Sequence, residues 1–199
     1  VTVVAEIWDD EIRTCKVGPE APVPILQWQW EFQAVLDLYE ERKPMKVVEV
    51  GTYHGGTLYH WLSKATPGAT VISIDSYVTG VDNSGMYQDW CPTDVELIAI
   101  RGDSRKVWID QGHLLRDTDW LFIDAGHTFN EVLDDWQSYS QFVAPNGVVL
   151  LHDIVPGGEQ HPELEVHQLW RQIQAKGYVT QEVISDHVAD WGGIGIVYL

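Results

Sequence analysis

Lys46 to Leu62, KVVEVGTYHGGTLYHWL, decides the fold. Val47, Val48 and Val50 form a short β-branched run, the pattern of a strand buried on both faces of a parallel sheet. Gly51 ends it and Gly55 and Gly56 follow. Leu58, Trp61, Leu62 and Ala65 then fall at the spacing of one helical face, with Thr57 as the expected N-cap. Strand, glycine turn and helix in this order predict the opening of a doubly wound α/β fold. The glycines let the backbone pass close to a ligand, and the helix start offers unpaired N–H groups. The same turn occurs in α/β folds with no ligand beside it, so alone it does not define a site.

Downstream, Pro67 and Gly68 make a turn and Thr70–Asp75, TVISID, reads as the second strand. Asp75, followed by Ser76, stands about 20 residues beyond the turn, where a carboxylate can accept both hydroxyls of a ribose or simply cap the next turn. Ser76 to Thr93 reads as one long irregular stretch. Glu96–Ile100 is the third strand, and RGDS after it sets Asp103 and Ser104 either to contact an adenine or to cap a helix. Asp119–Ala125 is the fourth strand, with Asp124 at its end and His127 three residues on. Thr128 and Glu131 then form a capping box before a helix through Val132, Trp136 and Tyr139. Gly147–Ile154 is the fifth strand and carries His152 and Asp153 near its end. Adjacent strand ends would bring Asp124 and Asp153 to one rim of the sheet. Pro162 is expected to open the last helix, and Val179–Ser185 and Ile194–Leu199 read as strands of an antiparallel hairpin.

Upstream, Val1–Ile7 reads as a strand and Gly18–Pro24 as a proline-punctuated loop. Ile25, Trp28, Phe32, Val35, Leu36 and Tyr39 follow helical spacing up to Pro44. Trp30 lies off that stripe, which suits either an exposed indole, as a contact between copies of the chain or a lid over the acceptor, or a partly covered surface ring.

The 199 residues suit one domain, residues 1–44 forming an extension and helix and residues 45–199 the core. The formal charge of −18 repels phosphate backbones and anionic membranes, which argues against nucleic-acid partners and favours a small neutral or cationic one. Two cysteines cannot make a disulfide framework, no apolar run reaches the ~18–20 residues of a membrane span, and no signal pattern opens the chain. A reduced, cytoplasmic protein is expected. Ten tryptophans are read as packing residues in the main.

Glu49 sharpens the reading of the turn. A carboxylate two residues before Gly51 would not favour phosphate but suits a cation, and S-adenosylmethionine carries a sulfonium and an ammonium. Two carboxylates converging at strand ends suit Mg²⁺, and His127 is the natural base. The pattern hh-E-h-G-x-x-x-G-G-T, with Glu49, Gly51, Gly55, Gly56 and Thr57, resembles motif I of class I S-adenosylmethionine-dependent methyltransferases. That resemblance implies a Rossmann-like seven-stranded sheet ending in an antiparallel hairpin, and a cofactor held by Glu49, Gly51, Thr52, Gly55, Gly56, Thr57, Asp75, Ser76, Asp103, Ser104 and Asp124.

D-x-x-H at the fourth strand with an acid at the fifth resembles the branch of macrolide sugar O-methyltransferases and cephalosporin hydroxylase-like proteins. It implies Asp124 and Asp153 as metal ligands and His127 as base. His152 stands where that branch has an acid, which tilts the site from Mg²⁺ towards Mn²⁺, Fe²⁺ or Zn²⁺. The expected activity is O-methylation of a small hydroxylated molecule, a sugar or a natural product. The same turn and Asp75 also suit an NAD-dependent oxidoreductase, and the change at His152 leaves open a non-catalytic S-adenosylmethionine-binding protein.

Overall fold

A computed structural model describes residues 22–76, 84–159, 161–185 and 191–199. The expected strand Val1–Ile7 lies outside them. The chain runs α1 (Gln29–Arg42), β1 (Lys46–Val50), α2 (Gly56–Ser63), β2 (Thr70–Asp75), α3 (Ser84–Trp90), β3 (Glu96–Arg101) and α4 (Ser104–Leu115). It continues through β4 (Thr118–Ile123), α5 (Phe129–Tyr139), β5 (Val143–His152), α6 (Val166–Ala175), β6 (Val179–Val183) and β7 (Ile194–Tyr198).

The strands form one seven-stranded sheet in the order β3-β2-β1-β4-β5-β7-β6. Strands β1 to β5 are parallel, and β7 inserts antiparallel between β5 and β6. This is the doubly wound sheet with a terminal antiparallel hairpin that the sequence predicts. Alternate residues of each strand feed opposite cores. Val47, Val71, Trp120, Phe122 and Val148 pack under α1 and α2, with Phe32, Tyr39, Leu58 and Trp61. Val48, Ile72, Leu121, Ile123 and Val149 pack under α4, α5 and α6, with Val107, Val132, Trp136 and Trp170. Trp61, Trp120, Trp136 and Trp170 are all buried, so these indoles are packing residues.

Three local expectations change. The stretch read as irregular contains α3, too short and too polar to show a period; Tyr87 anchors it in the core and donates its hydroxyl to the Tyr53 carbonyl. The last helix begins at Val166, four residues after Pro162. Glu165 is held towards α5, its N–H donating to His127 O and its carboxylate accepting from Phe129 N, so the chain turns there before it can coil. Strand β5 begins at Val143, ahead of Gly147, through a register shift opposite Thr118 and Trp120 that Pro145 and the left-handed Asn146 obscure in the sequence. Of the two readings of Trp30 the partly covered one holds: the ring is half-buried, and its indole donates to Ser185 Oγ at 3.2 Å. Among the described residues no helix is long and apolar enough to cross a membrane.

Candidate active site

The strand order reverses between β1 and β4, and the crevice at such a switch point is where open α/β sheets bind ligands. The turn after β1 and the end of β4 meet there. Gly51 has φ of 90°, and a Cβ on it would lie 2.1 Å from the Asp124 carbonyl oxygen, so only glycine lets the two strand ends touch. The Gly51 N–H donates to Ile74 O and the Asp124 N–H to Val50 O, which ties the three strand ends together.

Asp75 shapes the turn from β2. Its Oδ2 accepts from the N–H groups of Thr52 and Tyr53, each at 2.7 Å. Glu49 holds it from below. Its carboxylate accepts from the hydroxyls of Thr52 (2.8 Å) and Thr57 (2.5 Å) and from the Trp61 indole (2.9 Å). Burial raises the Glu49 pKa to about 7 in spite of these three donors.

Two expected cofactor residues therefore sit elsewhere. Glu49 is fully buried beneath the turn and does not line the crevice, because the three donors draw its side chain into the α1/α2 core. Gly55 faces α3, where a Cβ would strike the rings of Tyr87 and Trp90. Gly55 is also the N-cap of α2, in the left-handed conformation, whereas the Thr57 hydroxyl is turned down to Glu49 and makes no cap.

The crevice is a cavity of about 910 Å³, large enough for a nucleoside-type cofactor beside a small acceptor. Gly51, Thr52, Gly56, Thr57, Asp75, Ser76, Asp103, Ser104 and Asp124 all line it, as do His127, His152 and Asp153. At its β3 end Asp103 caps α4 by accepting from Arg105 N at 3.1 Å, and both its oxygens also accept from the Arg105 guanidinium at 2.9 Å. That fork holds the Asp103 pKa below the usual carboxylate range.

At the opposite end four titratable side chains converge. His152 Nδ1 lies 3.1 Å from Asp124 Oδ1 and 3.4 Å from Asp153 Oδ2, and His127 Nδ1 lies 3.2 Å from Asp153 Oδ2. His152 and Asp153 are buried, while the His127 side chain is 40% exposed. Asp153 has φ of 60°, a left-handed backbone rare outside glycine, directly after β5. Burial pushes His152 towards its neutral form, but Asp153 and Asp124 outweigh it and hold its pKa well above the ordinary imidazole value. Burial would raise Asp153, and His152 more than reverses this and lowers it.

One ring nitrogen facing two carboxylates needs a proton or a metal ion between them. One donor atom each from Asp124, His152 and Asp153 lies within 4.8 Å of the others, and His152 Nε2 and Asp153 Oδ1 are buried without a hydrogen-bond partner among the described residues. Two carboxylate oxygens and an imidazole fit a borderline divalent ion better than Mg²⁺, which prefers oxygen ligands.

Three contributors had little or no sequence signal. Gln27, just before α1, donates to Asp124 Oδ2 at 2.5 Å, and nothing in its neighbourhood marks it. Trp191, three residues before β7, lines the cavity and packs on Trp28 at 5.1 Å between ring centroids. Asp135 also lines the cavity; its one signal was an acid at a core position of α5, beside Val132, Trp136 and Tyr139.

Comparison with known proteins agrees with this architecture. The profile of a methyltransferase-domain family matches residues 48–154, over half of the chain, and the chain belongs to that family. The sequence has no significant match among curated proteins. Among solved structures the fold is similar to the O-methyltransferase TomG of Streptomyces achromogenes, in complex with S-adenosylmethionine, at TM-score 0.68 and 15% identity. That match covers 91% of this chain and 82% of TomG. A Bacillus cereus O-methyltransferase bound to S-adenosylhomocysteine is similar at TM-score 0.66 and 15% identity, covering 91% of this chain and 84% of that one. A Geobacter sulfurreducens methyltransferase is similar at 0.60 and 18%, covering 87% and 80%. The chain carries a methyltransferase domain with the fold of these S-adenosylmethionine- and S-adenosylhomocysteine-bound enzymes, which does not favour the oxidoreductase reading.

Proposed function

We propose that this methyltransferase acts on oxygen, transferring the methyl group of S-adenosylmethionine to a hydroxyl of a small, uncharged or cationic molecule such as a sugar or a natural product. The observation that carries the reading is the meeting, in one cavity, of the glycine turn with the Asp124, His127 and Asp153 cluster. The cofactor's ribose would lie on Asp75 and its amino acid end towards Asp124, with the sulfonium methyl directed to His127. Methyl transfer is an in-line displacement in which the S–C bond breaks as the O–C bond forms, and the acceptor's proton must leave.

His127 is suited to take that proton. Its Nδ1 faces Asp153, which favours the tautomer with hydrogen on Nδ1 and leaves Nε2 free to accept. Asp153 would then stabilise the imidazolium that forms. A divalent ion held by Asp124, His152 and Asp153 would lower the pKa of a bound hydroxyl. Gln27 positions Asp124 from the N-terminal side.

Charge selects the acceptor. Asp75, Asp103, Asp124, Glu131, Asp135, Asp153 and Glu163 line the cavity, while Arg105 is its one Lys or Arg among the described residues and is paired with Asp103. Carboxylated or phosphorylated acceptors would meet these carboxylates and no lysine or unpaired arginine among the described residues. The test is transfer of labelled methyl from S-adenosylmethionine to a panel of neutral sugars, phenols and amines. His127→Ala should keep cofactor affinity within about threefold and lose about 10²-fold or more in turnover. Turnover equal to wild type in that variant would assign the base elsewhere.

A further inference from the structure

Asp103, which the sequence sets either to contact an adenine or to cap a helix, caps α4, and both its oxygens are held by Arg105. The wall beyond Asp75 does contain another carboxylate. Asp75 O accepts from the Gly102 N–H at 2.9 Å, so the wall runs unbroken from the end of β2 through Gly102 to Ser104 at the start of α4. Asp135, reaching in from α5, lines the same end of the cavity and is only 2% exposed. Its carboxylate is engaged by the Ser104 side chain, whereas Oδ1 is buried with no hydrogen-bond partner among the described residues. The Tyr139 hydroxyl donates to the Ser104 carbonyl at 2.7 Å and fixes α4 against α5 at this point. A buried carboxylate oxygen left unmatched is uncommon and costly, and a donor from a ligand would remedy it.

Adenine is joined directly to the ribose, so a ribose on Asp75 puts the base along this wall. Resting on the cofactor placement above, we propose that Asp135 reads the cofactor's base, accepting a hydrogen bond from the exocyclic amine of adenine while Ser104 holds the carboxylate in position. Burial raises the Asp135 pKa to about 6, consistent with a group in want of a donor. A carboxylate accepts and does not donate, so it discriminates an amine at the 6-position of the purine from a carbonyl there.

Calorimetric titration with S-adenosylhomocysteine and S-inosylhomocysteine, which differ in that one group, tests this without knowledge of the acceptor. Wild type should prefer the adenosyl compound by about tenfold to a hundredfold, the range of a hydrogen bond to a charged group. In Asp135→Asn the amide carbonyl takes the Ser104 hydroxyl and the NH₂ faces the base, so the preference should fall to about one or invert. Asp135→Ala and Ser104→Ala should reduce it in the same direction, the latter without disturbing the packing of α5. A purely structural role for Asp135 would weaken both ligands equally and leave the ratio unchanged, which overturns the proposal. So does a wild-type ratio near one. Binding of neither compound to folded wild type would instead remove the cofactor placement itself, and the proposal with it.

Discussion

Replacing Glu49 by glutamine should stabilise the protein in alkaline buffer and not in acid. Glu49 is fully buried, and burial lifts its pKa from 4.5 to about 7. A carboxyl that holds its proton more tightly in the folded state contributes fully below the unfolded value and loses that contribution as pH rises through the folded one. The interval from 4.5 to about 7 corresponds to about 3 kcal/mol lost between pH 4.5 and pH 8. Glutamine removes the titration and keeps the bonds: its carbonyl can accept from Thr57 and Trp61, and its NH₂ can donate to the Thr52 hydroxyl, which in turn can donate to Ser73 Oγ at 2.7 Å. Thermal melts of Glu49→Gln and wild type should coincide at pH 5 and diverge by roughly 6–12 °C in favour of the variant at pH 8. Glu31, also buried and raised to about 7, supplies a second slope that both proteins share. A variant that melts lower than wild type at both pH values would mean that the three donors stabilise the carboxylate by more than its burial costs, and the reasoning would be wrong.

Other perturbations test the site more directly. Gly51→Ala must accommodate a left-handed φ of 90° and a backbone contact at 2.1 Å, so a loss of roughly 3 kcal/mol or more in urea unfolding is expected; a change under 1 kcal/mol would refute the close approach of β1 and β4. Asp124→Asn should raise the Mn²⁺ concentration needed for half-maximal turnover by about tenfold or more, and full wild-type activity in the presence of a strong chelator would remove the metal from the account.

The sheet was legible because its signals are local and mutually consistent. Val47 to Val50, Thr70 to Asp75 and the Thr128/Glu131 capping box each carry a periodicity or a cap that survives in the structure. The rim positions followed from topology, since Asp75, Asp124 and Asp153 stand at strand ends that parallel pairing must align. What did not follow was the direction of side chains. Glu49 reads as a ligand carboxylate until Thr52, Thr57 and Trp61 are seen to draw it under the turn. Asp103 reads equally as an adenine contact or a helix cap until it is seen to cap α4 with both its oxygens taken by Arg105, two residues on. Gln27 and Trp191 reach the cavity from segments far apart in the chain, through contacts with Asp124 and Trp28 that no local pattern encodes.

Calorimetric titration of S-adenosylmethionine into the purified protein, with NAD as the control, tests the central claim most directly. The account predicts saturable binding of S-adenosylmethionine at one site and no heat from NAD. A folded sample that binds neither, or that binds NAD in preference, would contradict it.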